Sequence, residues 1–265
     1  MSVVQVVYVI AAMDERYPIA SAEEWDSVGL VVGNPDSEVT TVLFTVDPTK
    51  EVVDEAIKIG AELIIAHHPL LLRGVTSVAD TNSKGRIINS LIRNNISLFT
   101  AHTNADVARP GVSDAMANAF GIALDQDESL STNGIGRIGS LPTVTSLGKF
   151  ANVVKAGLPA TSRSINILGD KDRLIRRVAV CGGAGDSLLD SVAQTDADVY
   201  VTSDLRHHVA QEFAQNSNCA LIDIPHWSGE WLWLSQAANL LVEDLDGNVS
   251  VEVSAIVTDP WSFSL

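Results

Sequence analysis

Residues 42–66 read VLFTVDPTKEVVDEAIKIGAELIIA, and this stretch decides the fold class. It opens with the short apolar run Val42–Val46 and closes with a second one, Leu63–Ala66. Runs of this length and composition are typical of buried parallel strands. Between them, Lys50–Ile59 has the apolar spacing of a helix. The stretch therefore predicts strand, helix and strand in succession, which is the pattern of an α/β protein.

The alternation continues along most of the chain. The remaining predicted elements are helix Ile87–Arg93, strand Ile96–Ala101, helix Ser113–Phe120, helix Leu147–Ala156, strands Ser164–Leu168 and Arg177–Cys181, helix Ser187–Gln194, strand Val199–Thr202, helix Leu205–Asn216, strand Cys219–Ile224, helix Glu230–Leu241 and strand Val249–Val257. Residues 126–148 are rich in Ser, Thr and Gly, and are predicted to be a crossover between two domains that includes a short strand at Gly136–Ser140. We expect two α/β domains with mixed, mostly parallel sheets.

Composition excludes several classes of protein. With 46% apolar and 19% charged residues, the chain is globular and not disordered. A net charge of −16 argues against non-specific nucleic-acid binding, because neutralising phosphates requires clustered Lys and Arg. The nearest approach to a basic cluster, Arg173 with Arg176 and Arg177, is predicted to be a solvated end of an element.

The cysteines and the N-terminal segment bear on location. Cys181 and Cys219 each lie in an apolar run, which predicts buried structural thiols in a reducing compartment. The segment MSVVQVVYVIAAMDERYP is too short to span a bilayer and has no basic start, so neither a secretory signal nor a membrane anchor is expected. The predicted location is the cytoplasm.

The six histidines all follow a predicted strand or lie in the turn or helix after one. They are His67, His68, His102, His207, His208 and His226. In open α/β sheets, ligands bind beyond the carboxyl ends of the strands, so this placement predicts convergence on one site.

Three clusters carry the candidate metal ligands. His67 and His68 are adjacent and point to opposite faces if they continue the strand, so they can serve two ions. The alternative is one capped core histidine and one solvated histidine. His102 is followed by Asp106, with Asn104 placed to orient one of them, but Asp106 alone is more typical of a turn or helix cap.

The third cluster is His226 and Glu230, which share one face of a helix at i and i+4. Ser228 is predicted to cap that helix. The alternative role for Glu230 is a carboxylate favoured by the helix dipole. Together the clusters offer nitrogen and oxygen donors and no thiolate, a set that suits Zn²⁺, Fe²⁺, Mn²⁺ or Ni²⁺.

Two further features are candidates for a supporting role. Asp204 is predicted to cap the helix that carries His207 and His208, and His208 is a candidate proton donor; the alternative is a solvated helix face. Gly182, Gly183 and Gly185 follow a strand and are a candidate phosphate-binding turn. They lack the Lys of a P-loop, and the alternative is a tight connection between a strand and a helix.

The ordered motifs resemble the GTP cyclohydrolase 1 type 2 homologues, or Nif-three-like family. The matching segments are Trp25-Asp26 with Gly29-Leu30, His67-His68-Pro69-Leu70, His102-Thr103-Asn104 with Asp106, Gly182-Gly183 with Gly185, Thr202-Ser203-Asp204 with His208, and His226 with Glu230. The chain departs from the family at Pro225 and Ser203, where Gly is usual, and at Asp204, where Glu is frequent. It also lacks the long central insertion of some members.

The resemblance implies one domain from residues 1–126 with 225–265 and a second, inserted domain from 127–224. It implies two divalent metal ions in the cleft between the domains, held by His67, His68, Asp106, His226 and Glu230, and a ring-shaped homohexamer. It further implies a metal-dependent hydrolase that opens the guanine ring of GTP and releases formate, with His102 and His208 as proton carriers.

Two other functions remain open at this point. One is a metal-binding, metal-delivery or regulatory scaffold without turnover, and the other is a binuclear phosphoesterase or amidase. The shortage of basic residues beside the metal motifs disfavours a nucleotide, since only Arg73, Arg109 and Arg206 stand near them in the sequence.

Overall fold

The computed structural model describes residues 4–126 and 128–265. The chain forms two compact units. The first unit comprises the residues up to Ala108 together with Leu234–Thr258, and the second comprises Arg109–Trp233 together with Asp259–Leu265. Met1–Val3, the start of the apolar N-terminal segment, and residue 127, at the predicted domain boundary, lie outside the described residues.

The first unit is built on a five-stranded sheet in the order β13-β4-β5-β6-β2. Its elements are β1 (Val4–Gln5), α1 (Val6–Arg16), β2 (Gly29–Val32), β3 (Glu38–Val39), β4 (Thr41–Thr45), α2 (Lys50–Ile59), β5 (Leu63–Ala66), α3 (Ser83–Arg93), β6 (Ser97–Thr100), α4 (Thr103–Val107) and β13 (Ser250–Val253). The strands β13, β4, β5 and β6 are parallel, and β2 joins β6 antiparallel. This is the mixed, mostly parallel sheet that the sequence predicts.

Helix α2 shows why the opening stretch folds as predicted. The side chain of Thr49 accepts a hydrogen bond from the Val52 amide and caps the first turn. Gly60 ends the helix in the left-handed region, at φ 72°, where glycine carries no steric cost. The helix buries Val52, Val53 and Ala56 against the sheet core, so one apolar stripe stabilises both elements.

The N-terminal apolar segment is an amphipathic helix of the first unit. Within it, helix α1 buries Val6, Val9 and Met13, so these apolar residues are part of the core of the first unit. None of the described helices combines the length and the apolar character that crossing a membrane would require.

The second unit is built on a six-stranded sheet in the order β7-β8-β10-β11-β12-β9. Its elements are α5 (Val112–Ala119), β7 (Ala123–Leu124), β8 (Arg137–Ser146), α6 (Leu147–Gly157), β9 (Asn166–Leu168), β10 (Leu174–Ala184), α7 (Leu189–Ala193), β11 (Val199–Ser203), α8 (His207–Asn216) and β12 (Ala220–Ile224). Only β10, β11 and β12 pair in parallel, and the outer pairings are antiparallel. The second sheet is therefore more mixed than the alternation of elements indicated.

The two compact units have bounds that differ from those of the predicted domains, and the domain bounds stay a prediction. The predicted first domain includes residues 109–126, but Met116 and Phe120 lie in the same core as Val178 and Val180 of β10. Helix α5 therefore belongs to the second unit. Residues 225–233 and 259–265 also fall in that unit.

Helix α9 (His226–Asp244) begins four residues earlier than predicted. The prediction that Ser228 caps it is wrong, because the helix already starts at His226 and the Gly229 amide donates to the carbonyl of Pro225. Ser228 is fully buried, and its hydroxyl donates to the carbonyl of Pro159. The early start places His226 and Glu230 on one helix face, one turn apart.

The structure supports the prediction of buried thiols, and this leads to a test. Cys181 and Cys219 are both buried, and burial raises the pKa of the Cys219 thiol to about 12. Because the thiolate is the reactive form, we expect neither cysteine to react rapidly with Ellman's reagent at pH 8, and both to react in guanidinium chloride. Fast modification of a thiol in the folded chain would contradict the burial.

Candidate metal centre

Three imidazoles of the first unit converge at one end of its sheet. The register pairs Thr45 of β4 with Ala66 of β5, and Ala66 with Thr100 of β6. His67 and His68 lie one and two residues after Ala66, and His102 lies two residues after Thr100. One ring nitrogen of each histidine lies within 4.8 Å of a ring nitrogen of the other two. Sheet register therefore brings together two motifs that are 34 residues apart along the chain.

Each of these imidazoles is held through Nδ1 by an oxygen acceptor. His67 Nδ1 lies 2.9 Å from the carbonyl oxygen of Ala101. His68 Nδ1 lies 2.7 Å from Asp47 Oδ1, and His102 Nδ1 lies 2.9 Å from Asp26 Oδ1. An acceptor at Nδ1 places the ring proton there and leaves the lone pair on Nε2, which is the arrangement of a metal-ligating histidine.

The two carboxylates that orient His68 and His102 escaped the sequence analysis as functional residues. Asp47 follows β4 as His68 follows β5, two residues beyond the paired positions Thr45 and Ala66. Asp26 precedes β2, whose Gly29 pairs with Thr100 of β6, so Asp26 meets the segment after β6. A usable signal existed for Asp47, which is a carboxylate at the end of a predicted parallel strand like the predicted ligands.

Asp26 is the more strongly held of the two carboxylates. Its side chain is fully buried, and it also accepts hydrogen bonds from the amide and hydroxyl of Thr103. Burial alone would raise the pKa of Asp26, but the hydrogen bonds from His102 and Thr103 outweigh it and hold the pKa well below its usual range. Asp26 is therefore a fixed negative charge behind the His102 ring.

Asp106 lies on the short helix α4, one turn after His102. Its amide donates to the carbonyl of His102 at 3.2 Å, and one of its carboxylate oxygens is buried. The structure therefore places Asp106 close to His102 along the helix, although it is not a member of the group formed by the three imidazoles. Its role as a metal ligand stays a prediction.

His226 and Glu230 form a tight pair in the second unit. His226 Nε2 lies 2.9 Å from Glu230 Oε1, and His226 Nδ1 lies 2.7 Å from Asp204 Oδ2. Glu230 is only 2% exposed. The charge of Glu230 raises the pKa of His226 to about 11 against the opposing effect of burial, with a further contribution from Asp204. The pair therefore presents a nitrogen and an oxygen donor 2.9 Å apart, and a divalent cation held there would take the place of a proton.

The prediction that Asp204 caps helix α8 is wrong. The residue at the cap position is Arg206, and Asp204 stands in the left-handed region at φ 57° with its carboxylate on His226. That hydrogen bond is the main cause of the lowered pKa of Asp204. Asp204 therefore orients the His226 ring, as Asp47 orients His68 and Asp26 orients His102.

The glycines of the predicted phosphate turn lie mostly within a strand. Strand β10 continues through Gly182 and Gly183 to Ala184, so no turn separates them from the sheet. A Cβ atom on Gly183 would stand 2.7 Å from Glu230 Oε1, at a positive φ of 67°. The hydroxyl of Tyr200 donates to the carbonyl of Gly185. Gly183 therefore lets the backbone approach Glu230. The role of the three glycines in binding phosphate stays a prediction.

His207 and His208 lie apart from these groups in the described residues. Both stand exposed in the first turn of α8, with their ring centroids 5.1 Å apart. Neither belongs to a set of His, Cys, Asp or Glu side chains that could hold a metal ion among the residues the structure describes. The proton-carrying role of His208 stays a prediction.

The chain matches a known protein family over nearly its whole length. Residues 4–260 match the Duf34/NIF3 (NGG1p interacting factor 3) family. The chain belongs to the Duf34/NIF3 family. This confirms the resemblance drawn from the motifs. A relative from Streptomyces coelicolor, named GTP cyclohydrolase 1 type 2 homolog, is 45% identical over 96% of this chain and 92% of its own length.

Other Duf34/NIF3 relatives agree in sequence and in fold. A Mycobacterium tuberculosis protein of the same name is 35% identical over 96% of both chains. Among solved structures, a Bacillus cereus protein related to NIF3 superposes with a TM-score of 0.91 at 26% identity, covering all of both chains. A Staphylococcus aureus hypothetical protein gives a TM-score of 0.90 at 30% identity over 99% of this chain and all of its own. The α/β fold of this Duf34/NIF3 member is therefore shared with its structural neighbours.

Proposed function

We propose that the protein binds two divalent metal ions and is a metal-dependent hydrolase. The proposed ligands are His67, His68, Asp106, His226 and Glu230. One observation carries the proposal: the three proposed histidine ligands, His67, His68 and His226, are each held at Nδ1 by an oxygen acceptor. His102 is oriented in the same way. A core histidine needs no such uniform orientation, whereas a metal-ligating histidine nearly always has it.

The donor set fits a borderline divalent cation. Imidazole nitrogens and carboxylate oxygens without thiolate suit Zn²⁺, Fe²⁺, Mn²⁺ or Ni²⁺. When bound, such ions lower the pKa of water and polarise a substrate oxygen. The side chains of the protein would do the remaining work: Asp26 holds the His102 ring in one tautomer, and we propose that His102 and His208 carry protons.

The proposed substrate is GTP, with opening of the imidazole ring of guanine and release of formate. This proposal is supported by the motif resemblance and by the names of the relatives, each called a GTP cyclohydrolase 1 type 2 homolog. We further propose a ring-shaped homohexamer, which is supported by the motif resemblance alone, and a cytoplasmic location, which is supported by the composition of the chain. The alternative function is a metal-binding, metal-delivery or regulatory scaffold, which would keep the metal ions and lack turnover.

The experiment that tests the proposal has two readouts on the same sample. Metal per chain is measured by elemental mass spectrometry on tag-free protein purified without chelator, and we expect about two ions. The loaded protein is then incubated with GTP, and formate is quantified together with the loss of guanine absorbance. Formate release in proportion to metal content would support the hydrolase.

The remaining outcomes separate the alternatives. Bound metal without formate, and without hydrolysis of a panel of phosphoesters and amides, would support the scaffold over the enzyme. A chain that holds no metal, and takes up none on reconstitution with each of the four cations, would overturn both.

A further inference from the structure

A cavity of about 510 Å³ opens beside His68 in the first unit. Its volume lies within the range of roughly 300–1,000 Å³ typical of sites for small molecules. Its walls are the segment after β4, the first turns of helices α2 and α3, and the His68-Pro69-Leu70 segment. All of its lining residues belong to one unit, and one of them is a proposed metal ligand.

The cavity concentrates positive charge in a chain of net charge −16. The first unit contains seven of the 17 Lys and Arg residues, and three of the seven line this cavity. They are Lys50, Lys84 and Arg86. Lys50 and Lys84 lie in the first turns of two different helices, so the packing of α2 and α3 brings these charges together. Neither lysine is adjacent in sequence to a histidine motif.

Backbone groups reinforce the same polarity. Helices α2 and α3 have 10 and 11 residues, and their first turns both line the cavity. The first amides of a helix have no intrahelical acceptor and carry the positive end of the helix dipole. The capping side chains of Thr49 and Asn82 engage the amides of Val52 and Gly85, one in each helix.

Two acidic residues, Asp47 and Glu51, also line the cavity and oppose the three basic ones, so the charged lining residues carry a net charge of +1. Both oxygens of Asp47 accept hydrogen bonds, from His68 and from the hydroxyl of Thr258. Glu51 is exposed, and Lys50 is paired with Asp54 one helical turn away. Lys84 and Arg86 are therefore the principal cationic groups. They are opposed by Glu51 and by Asp47, whose negative charge its hydrogen bonds do not remove.

We propose that this cavity binds the phosphate group of a phosphorylated substrate and holds it beside His68. The inference rests on the proposed function, because it uses His68 as a metal ligand, and it specifies the substrate class as a phosphate ester or anhydride. Arg and Lys beside helix N-termini are the donors that bind phosphate in proteins. The phosphate would anchor the molecule while its reacting part extends past His68.

The test uses inorganic pyrophosphate as the probe. Binding to the full chain is measured by isothermal titration calorimetry in phosphate-free buffer, with metal removed by chelator and desalting. We expect the double variant Lys84→Ala, Arg86→Ala to bind pyrophosphate at least about tenfold more weakly than the unaltered chain, as for the loss of a charge-assisted hydrogen bond. The matched control is Lys58→Ala, Arg73→Ala, which removes the same two charges from exposed positions of the same unit outside the cavity.

A third variant tests whether misfolding accounts for weaker pyrophosphate binding. Glu51→Gln removes one of the two opposing charges at the cavity wall, and we expect it to tighten pyrophosphate binding severalfold, which a damaged fold would not do. Equal weakening in the two double variants, or no binding by the unaltered chain, would overturn the proposal.

Two comparisons connect the cavity to the substrate and separate it from the metal hypothesis. Displacement of pyrophosphate by both GTP and ribose 5-phosphate would assign the cavity to the phosphate group, and displacement by GTP alone would assign it to a nucleotide. Failure of both to compete would overturn its role as a substrate site. If the chain binds no metal but pyrophosphate binding still depends on Lys84 and Arg86, the metal proposal fails while the anion site stands.

Discussion

Replacing Glu230 by alanine is expected to reduce the metal content of the purified protein from about two ions per chain to one or fewer. Glu230 is 2% exposed, and its Oε1 lies 2.9 Å from His226 Nε2. The variant removes the carboxylate on His226 Nε2 and leaves Asp204, on Nδ1, as the carboxylate partner of the ring. A metal site that loses its buried anionic donor loses both a ligand and the compensation of the cation charge. The measurement is elemental mass spectrometry of native and variant protein.

The matched control for this experiment is Glu212→Ala, which removes the same side chain from an exposed position on helix α8. It should retain the metal content of the native protein. A second variant, Glu230→Gln, keeps the shape of the side chain and separates loss of the carboxylate from loss of packing. Unchanged metal content in both Glu230 variants would exclude this residue as a ligand.

Removing the Arg137 side chain should cost about 3–5 kcal/mol in the free energy of unfolding. Arg137 is fully buried at the start of β8, and its Nε and Nη2 atoms lie 2.9 and 2.8 Å from Asp114 Oδ2. Its Nη1 donates to the carbonyls of Gly134 and Gly136. Arg137→Ala would therefore remove the cationic partner of a buried carboxylate, which keeps the Gly111 amide as a donor, and would remove the donor of two carbonyls in the interior. Urea denaturation measures the change.

Two variants make this prediction specific. Arg176→Ala removes an exposed arginine two strand positions before Val178, and we expect a change within about 0.5 kcal/mol. The double variant Arg137→Met, Asp114→Asn removes both charges and should recover part of the loss, because the cost arises mainly from an unpaired buried charge. A loss below about 1 kcal/mol for Arg137→Ala would show that the second unit does not depend on this pair.

Local pattern accounts for most of what could be predicted about the fold. Strand β5 and helix α2 have the predicted bounds, because each is a short segment whose periodicity and ends are encoded in neighbouring residues. Strand β2 was missed, since its four residues carry no alternation by themselves and are specified by pairing with β6. The early start of α9 was also missed, because Ser228 is a common capping residue that here is buried against Pro159.

Some residues of the candidate site could be predicted from local sequence, and others could not. His67, His68, His102, His226 and Glu230 could be selected from the sequence because each follows a recognisable strand or shares a helix face. Asp26 could not be assigned its role, since it lies 76 residues from His102 and reaches it only through the antiparallel pairing of β2 with β6. Lys84 and Arg86 are not adjacent to a metal motif in the sequence. They line the same cavity as His68 because α3 packs there, so the sequence did not indicate basic residues at the site.

The sequence by itself determined the fold class, the family and the residue types of the candidate metal centre, because periodicity and motif spacing are properties of short segments. The tertiary structure decided the partners of those residues: which carboxylate orients each imidazole, which glycine makes room for Glu230, and which cations line the cavity beside His68. The reason is physical. A hydrogen bond or a charge pair acts over a few ångströms in space, and the order and register of strands set which distant segments come within that distance.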